Sequence, residues 1–155
     1  MRIDLSSTSH RTFVLVPLAV AAERLCRRKR VVHWRWAPLL LWGYLQYRVV
    51  GDRRVEEAGG PRGMSQGFPD RLVTDGIYAH VRNPMYLGHM IYLSGLTLLT
   101  RSPVAAGYLA GAVPWYNARA AADEARLQER FGEEYANYRA AVPRWLPRLG
   151  RARRR

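Results

Sequence analysis

Polar stretches alternate along the chain with runs that carry no charge, and each uncharged run predicts a helix. The longest begins at Asn83 and reaches Thr100, 18 residues without a charge. As a helix it would be about 27 Å long, close to the roughly 30 Å of a bilayer's hydrocarbon core. Ser102 to Ala118 adds 17 more. Arg101 alone separates the two runs, and Ser102-Pro103 supplies a cap followed by a proline at the first helical position, which predicts a tight antiparallel hairpin. Asn83-Pro84 opens the first of the pair with the same composition, a side-chain cap and an N1 proline. Asp75-Gly76 upstream is a turn dipeptide, and Arg82 is the last charge before the run. Gly88, Gly95, Gly107 and Gly111 are expected to let helix backbones approach closely, the last two with small-xxx-small spacing.

Shorter runs flank the hairpin. Thr12 to Ala22 is an apolar stretch of 11 residues. Ala19-Val20-Ala21 has the form of a cleavage site, but the basic cluster Arg27-Arg28-Lys29-Arg30 so close behind it favours a retained helix over a signal peptide. Val31 to Val50 predicts a second helix, with Trp34, Trp36, Trp42, Tyr44 and Tyr47 suited to interfacial belts. Gly51 to Thr74 reads as polar loop, broken by Gly59-Gly60-Pro61, Gly63 and Gly67-Phe68-Pro69, and serves either as a connector or as a lid. After the hairpin, alanine-rich sequence continues the helix to Phe131, with Leu127 and Phe131 on one face and Gly132 placed as its cap. Tyr135, Tyr138 and Val142 then mark a short amphipathic helix that Pro143 ends.

The net charge of +13 separates the function classes. Nearly all the positive charge is arginine, with Lys29 the only lysine, and it is spread along the chain so that basic residues border the apolar runs. That layout is expected of membrane helices with basic flanks and speaks against nucleic-acid binding. The fold class expected is all-α: a polytopic membrane helix bundle of about four transmembrane helices, with a C-terminal hairpin and a cytoplasmic amphipathic segment. Residues 1–155 form a single domain in this reading: N-terminal membrane helices over 1–50, a polar loop over 51–82, the hairpin and C-terminal segment over 83–147, and a basic tail over 148–155 held near anionic lipid. Loop and tail belong on the cytoplasmic side of the cell inner membrane by their arginines, yet two upstream spans would put the basic segment Arg24 to Arg35 outside, against the same rule. The single cysteine, Cys26, excludes an internal disulfide, and the histidines His10, His33, His80 and His89 show no metal-ligand spacing.

Candidate chemistry sits at the two ends of the hairpin, DGIYAHVRNPMYLG before it and DEARLQERFGEEYANYRAAVPRWLP after it. A hairpin brings its ends together. Arg82, Asn83, Tyr86, Asp123, Glu124, Tyr135, Tyr138 and Arg144 are therefore expected to converge beside a groove open to lipid. Taken singly each has a plain structural role: Asn83 a cap, Arg82 an interfacial anchor, Asp123 and Glu124 a solvated helix face.

GIYAHVRNPMYLG resembles the first motif of the isoprenylcysteine carboxyl methyltransferase family and its bacterial relatives, related to phospholipid methyltransferases. The second motif of that family, two acids, a leucine, FG-x-EY, a tyrosine and VP, is similar to Asp123-Glu124, Leu127, Phe131-Gly132, Glu134-Tyr135, Tyr138 and Val142-Pro143. The resemblance spans residues 67 to 147. It implies an integral membrane methyltransferase that takes S-adenosylmethionine and a lipophilic small-molecule or lipid acceptor, its active site facing the cytoplasm. Arg82, Asn83, Tyr86, Gly88, Asp123 and Glu124 would be cofactor-binding. Arg144 would orient the acceptor, and Tyr86 or Glu124 would act as base where the acceptor needs one. Asn83 stands where much of the family has histidine, and Asp123 where it has glutamate; both keep hydrogen-bonding capacity. The alternatives are an NADPH-dependent enone or sterol reductase, whose usual lysine-tyrosine-glycine is here Arg130-Phe131-Gly132, and a non-catalytic membrane scaffold.

Overall fold

The structure, a computed structural model, describes residues 7–29, 31–58 and 70–146. The glycine- and proline-rich centre of the expected polar loop and the basic tail lie outside the described residues. Every regular element among the described residues is helical.

Three abutting segments, Thr8–His10, a π-helical Arg11–Leu15 and Val16–Cys26, form one continuous helix, α1, with right-handed helical backbone at each junction. Pro17 explains the wide turn. Its missing N–H and its ring deprive the preceding turn of an ordinary i→i−4 bond, and a π turn accommodates the carbonyls left over. Val16 and Val20 pack into the core with Tyr92, Leu93, Leu96, Ala105, Ala112 and Tyr116.

The second helix is displaced from its expected position. A 3₁₀ turn at Trp34–Trp36 leads into α2, Ala37–Ala58. It begins six residues later than Val31 and continues eight residues beyond Val50, through sequence expected to be loop. Two i,i+4 ion pairs support the polar extension, Arg48 to Asp52 at 3.4 Å and Arg53 to Glu57 at 2.5 Å, and Val50 and Val55 are buried along it. Such pairs sustain a helix whose composition alone suggests a loop.

The hairpin forms as expected from α3, Pro84–Thr100, and α4, Pro103–Ala141. Arg101 turns the chain in a left-handed conformation (φ 46°), and the Ser102 hydroxyl accepts from the Ala105 amide at 3.1 Å. Gly132 breaks α4 with φ 53° and ψ −124°, backbone that strongly favours glycine. A short second piece beyond it carries buried Tyr135, and Val142, also buried, caps its end.

Of the four glycines expected to allow close backbone approach, Gly88 and Gly95 do so and the small-xxx-small pair Gly107 and Gly111 does not. A Cβ on Gly107 or Gly111 would meet nothing within 4 Å. On Gly95 it would lie 2.5 Å from the Leu40 amide nitrogen, and on Gly43, which the spacing argument passed over, 2.3 Å from that of Tyr92. The tight contact is thus between α2 and α3, the most extensive helix pair among the described residues. No helix among the described residues is long and apolar enough to cross a membrane by itself; α3, at 17 residues, is about 26 Å long.

Candidate functional site

The two polar motifs meet on Glu124. This residue sits mid-way along α4 on a face that turns inward, and only 4% of it is exposed. Arg82 reaches it from the loop before α3: Nε and Nη2 donate to Oε1 at 3.3 and 3.2 Å, and Nη2 to Oε2 at 3.1 Å. Arg144 reaches it from beyond Pro143, through Nε to Oε1 at 3.0 Å and Nη2 to Oε2 at 2.9 Å. Asn83 adds Nδ2 to Oε1 at 2.9 Å. Asn83 stands at the N-cap of α3 without making a side-chain cap. Its amide is directed to Glu124 instead, so the expected capping role gives way to a place in the cluster.

Arg82 also ties down the C-terminal segment. Its Nη1 donates to the carbonyls of Arg139 and Val142 at 2.8 and 2.9 Å, and its own amide donates to Pro143 O at 3.0 Å. The Tyr138 hydroxyl donates to Tyr78 O at 2.7 Å, in the 3₁₀ turn Gly76–Ala79. The segment after the Gly132 break therefore folds back over the start of α3.

Two guanidinium groups and one carboxylate leave the cluster with one net positive charge. Burial pushes the Glu124 carboxyl upward, but the hydrogen bond from Arg144, the charge of Arg82 and the Asn83 amide outweigh it and hold the group below its usual range. The sign of the linkage follows. A carboxyl depressed in the folded state contributes stability above its unfolded value and loses that contribution as the pH falls through the folded one. Wild-type protein should therefore lose melting temperature on acidification through and below the ordinary carboxylate range, and Glu124→Gln should show a smaller acid-side loss. Equal slopes for the two proteins would contradict the clamp.

Asp123, the neighbouring acid, serves the other side of the hairpin. Its Oδ2 accepts from the Tyr86 hydroxyl at 2.5 Å, and its Oδ1 faces Arg126 and, at 3.9 Å, Arg119. The Tyr86 ring lies against Tyr116, with centroids 5.4 Å apart. Helix α1 braces this wall, with Thr12 Oγ1 and the Tyr116 hydroxyl 2.8 Å apart and Ser9 Oγ 3.2 Å from His89 Nε2. Gly88 is placed elsewhere: a Cβ there would be 2.9 Å from Gly43 O and 3.0 Å from the Tyr47 amide nitrogen, so it faces α2.

Asn117 escaped sequence reasoning. Its Oδ1 accepts from Arg144 Nη1 at 3.2 Å and from Trp145 Nε1 at 3.3 Å. The signal was present in the spacing, since Asn117 lies seven residues before Glu124 and shares its helical face. One polar atom in this region lacks a protein partner. The Tyr135 hydroxyl is buried without a hydrogen bond among the described residues, within electrostatic reach of Glu124, Arg82, Arg139 and Arg144, and burial pushes its pKa up to about 12. An orphaned hydroxyl beside an excess cation and aromatic faces fits a ligand with an anionic group and further polar atoms. Among the described residues no group of side chains could hold a metal ion.

Fold and cluster together define an all-helical protein whose hairpin ends and C-terminal segment close over one buried carboxylate. Residues 60–134 match the family profile described as phospholipid methyltransferase. The protein-S-isoprenylcysteine O-methyltransferase of Schizosaccharomyces pombe is 41% identical over 78 residues, covering 49% of this chain and 33% of that protein. The Mus musculus protein of the same name is 35% identical over 78 residues (49% and 27%), and the Homo sapiens protein 34% over 77 (49% and 27%). The matched segment spans a third or less of these relatives. A solved eukaryotic intramembrane Ras methyltransferase, isoprenylcysteine carboxyl methyltransferase, shares the fold with a TM-score of 0.54 at 18% identity, over 88% of this chain and 52% of that one. Over about half its length the chain is thus similar in sequence to isoprenylcysteine O-methyltransferases, and it shares the fold of one.

Proposed function

We propose that this protein is an S-adenosylmethionine-dependent methyltransferase acting at the membrane on a lipophilic acceptor, an isoprenoid or lipid carboxylate or another lipid group. The observation that carries the reading is the convergence of both family motifs on Glu124, with an uncompensated positive charge beside it. S-adenosylmethionine supplies an electrophilic methyl group on a sulfonium, together with a carboxylate, an ammonium and ribose hydroxyls. Asn83, held in place by Glu124, keeps a second amide N–H suited to its carboxylate, and Arg82 contributes positive charge, its own donors being taken by Glu124 and by the Arg139 and Val142 carbonyls. Asp123 and the Tyr86 hydroxyl offer an acceptor and a polar tip on an aromatic wall, suited to its hydroxyls and cationic end.

Arg144, the more exposed of the two arginines, is the group proposed to orient an anionic acceptor. A carboxylate acceptor needs no base, and alignment with exclusion of water supplies most of the acceleration. A hydroxyl or amine acceptor would hand its proton to the Tyr86–Asp123 pair; Glu124, with its depressed pKa and two arginine partners, is the poorer base.

Membrane residence is part of the same proposal. Leu41, Leu45 and Val49 form an exposed apolar row on α2, joined by Trp42, and Leu98, Val104, Val113 and Trp115 are exposed on the hairpin. Exposed apolar surface of that extent asks for lipid or a partner. We place the four helices as one membrane domain, with local bilayer thinning or snorkelling flanks offsetting their short lengths, and Glu124 near the cytoplasmic surface of the inner membrane. Detergent-purified protein should bind S-adenosylmethionine and transfer labelled methyl into a total lipid extract. Arg82→Ala should weaken cofactor binding by about tenfold or more, because it removes a positive charge and frees both Glu124 and the C-terminal segment that Arg82 ties down. Calorimetric heat from NADPH and none from S-adenosylmethionine would sink the reading.

A further inference from the structure

The end of the bundle remote from Glu124 carries a second feature that the methyltransferase reading leaves unused. A groove of about 640 Å³ runs between α1 and the end of α3, with an apolar floor of Pro17, Val20, Ala21, Leu25 and Leu96, and with Arg24, Arg28 and Lys29 toward its mouth. The cations there are not equivalent. Arg27 is paired with Glu23 at 3.2 Å, and Arg24 donates to the carbonyls of Thr100 and Val31 at 2.6 and 2.7 Å. Arg28 and Lys29 are exposed and face no acid among the described residues. Arg28 has left-handed backbone (φ 52°), which turns the chain at the groove's mouth.

The local field is positive beyond these two. Burial first, and then the charges of Arg101, Arg35 and Arg24, lower the pKa of His33 in the neighbouring linker. Glu23 is the nearby acid, and it is already engaged by Arg27 and by the Ser102 hydroxyl. Pro17 to Cys26 is about 14 Å of helix, about half of a hydrocarbon core of roughly 30 Å, and Arg28 and Lys29 follow at its end. The groove therefore has the length of one leaflet, with a cationic rim at one end and an apolar floor along the rest.

We infer that this groove binds one anionic phospholipid of the leaflet opposite the Glu124 site, its phosphate on Arg28 and Lys29 and an acyl chain along Pro17, Ala21 and Leu25. The inference rests on the membrane placement proposed above and extends it. It also gives a physical reason for arginines on both flanks of the bundle, which the rule for cytoplasmic loops does not accommodate. A phosphate with a long apolar chain matches both halves of the groove, whereas a soluble anion would leave the floor open to water.

The test uses full-length protein in nanodiscs of phosphatidylcholine alone or with phosphatidylglycerol, read by melting temperature and by native mass spectrometry of retained lipid. Phosphatidylglycerol should raise the wild-type melting temperature and remain bound. Arg28→Gln/Lys29→Gln should abolish the shift and weaken retention on the order of thirtyfold, two surface charges' worth. Ala21→Trp, which fills the groove without altering charge, should abolish it too, and both variants should keep S-adenosylmethionine binding. A shift that survives Ala21→Trp, or is reproduced by glycerol phosphate, would show plain charge attraction and overturn the groove. If wild type enters both bilayers and melts alike in each, the groove inference alone fails. If it enters neither, the membrane reading fails and the inference with it.

Discussion

Glu124→Ala should be the most damaging single substitution in the chain, unfolding the C-terminal segment from the hairpin and abolishing cofactor binding together. The residue is buried, and it is the common partner of Arg82, Arg144 and Asn83. Its removal leaves two guanidinium groups facing each other with no counter-charge. Breaking a buried pair from one side costs about 3–5 kcal/mol, a large fraction of the stability of a domain this size. Glu124→Gln keeps the shape and loses the charge, so it should fall close to alanine. Arg144→Ala should behave differently. It leaves a balanced Arg82–Glu124 pair, and Arg144 is partly exposed, so stability should change by about 1 kcal/mol while methyl transfer drops. Chemical denaturation of the three variants, each paired with a labelled-methyl assay, separates clamp from ligand contact. An Arg144→Ala protein as unstable as Glu124→Ala would mean that Arg144 is purely structural.

Substitution at the α2–α3 crossing should rank second. Alanine at Gly43 would put a methyl group 2.3 Å from the Tyr92 amide nitrogen and 2.7 Å from Gly88 O, and at Gly95 2.5 Å from the Leu40 amide nitrogen. These are backbone atoms and cannot swing aside, so the helices must separate. Overpacking of this kind costs about 1–3 kcal/mol and sometimes more, and either variant should lower the melting temperature by several degrees. Gly107→Ala and Gly111→Ala are the controls. With nothing within 4 Å, they should be neutral or stabilise by up to about 1 kcal/mol each, the helix-propensity difference. A destabilised Gly111→Ala would point to a helix partner outside the described residues.

The same two regions show how far local pattern reaches. The hairpin was legible because its signals are local: an uncharged run, a serine cap and an N1 proline act within one turn. The break at Gly132 was legible for the same reason. The end of α2 was not, because Arg48–Asp52 and Arg53–Glu57 make a polar stretch helical while breaker-rich sequence beyond it suggests a loop. Which glycines mattered was legible only in part. Of the four expected to allow close approach, Gly88 and Gly95 do and Gly107 and Gly111 do not, because close approach depends on which face meets a neighbour, and α3 turns its two glycines toward α2.

At the candidate site the division is similar. Motif order and a short hairpin turn were enough to bring Arg82, Asn83 and Tyr86 near Asp123 and Glu124, because antiparallel helices of fixed rise must set their ends side by side. The amino-acid sequence by itself therefore determined the helical class, the hairpin and the set of residues that meet. Tertiary structure decided how they divide: Glu124 inward to two arginines and an amide, Asp123 outward to Tyr86, Asn117 recruited by Arg144, and Gly88 given to the helix interface. Those choices depend on helix rotation and on the fold-back after Gly132, long-range packing outcomes that no local pattern of residues encodes.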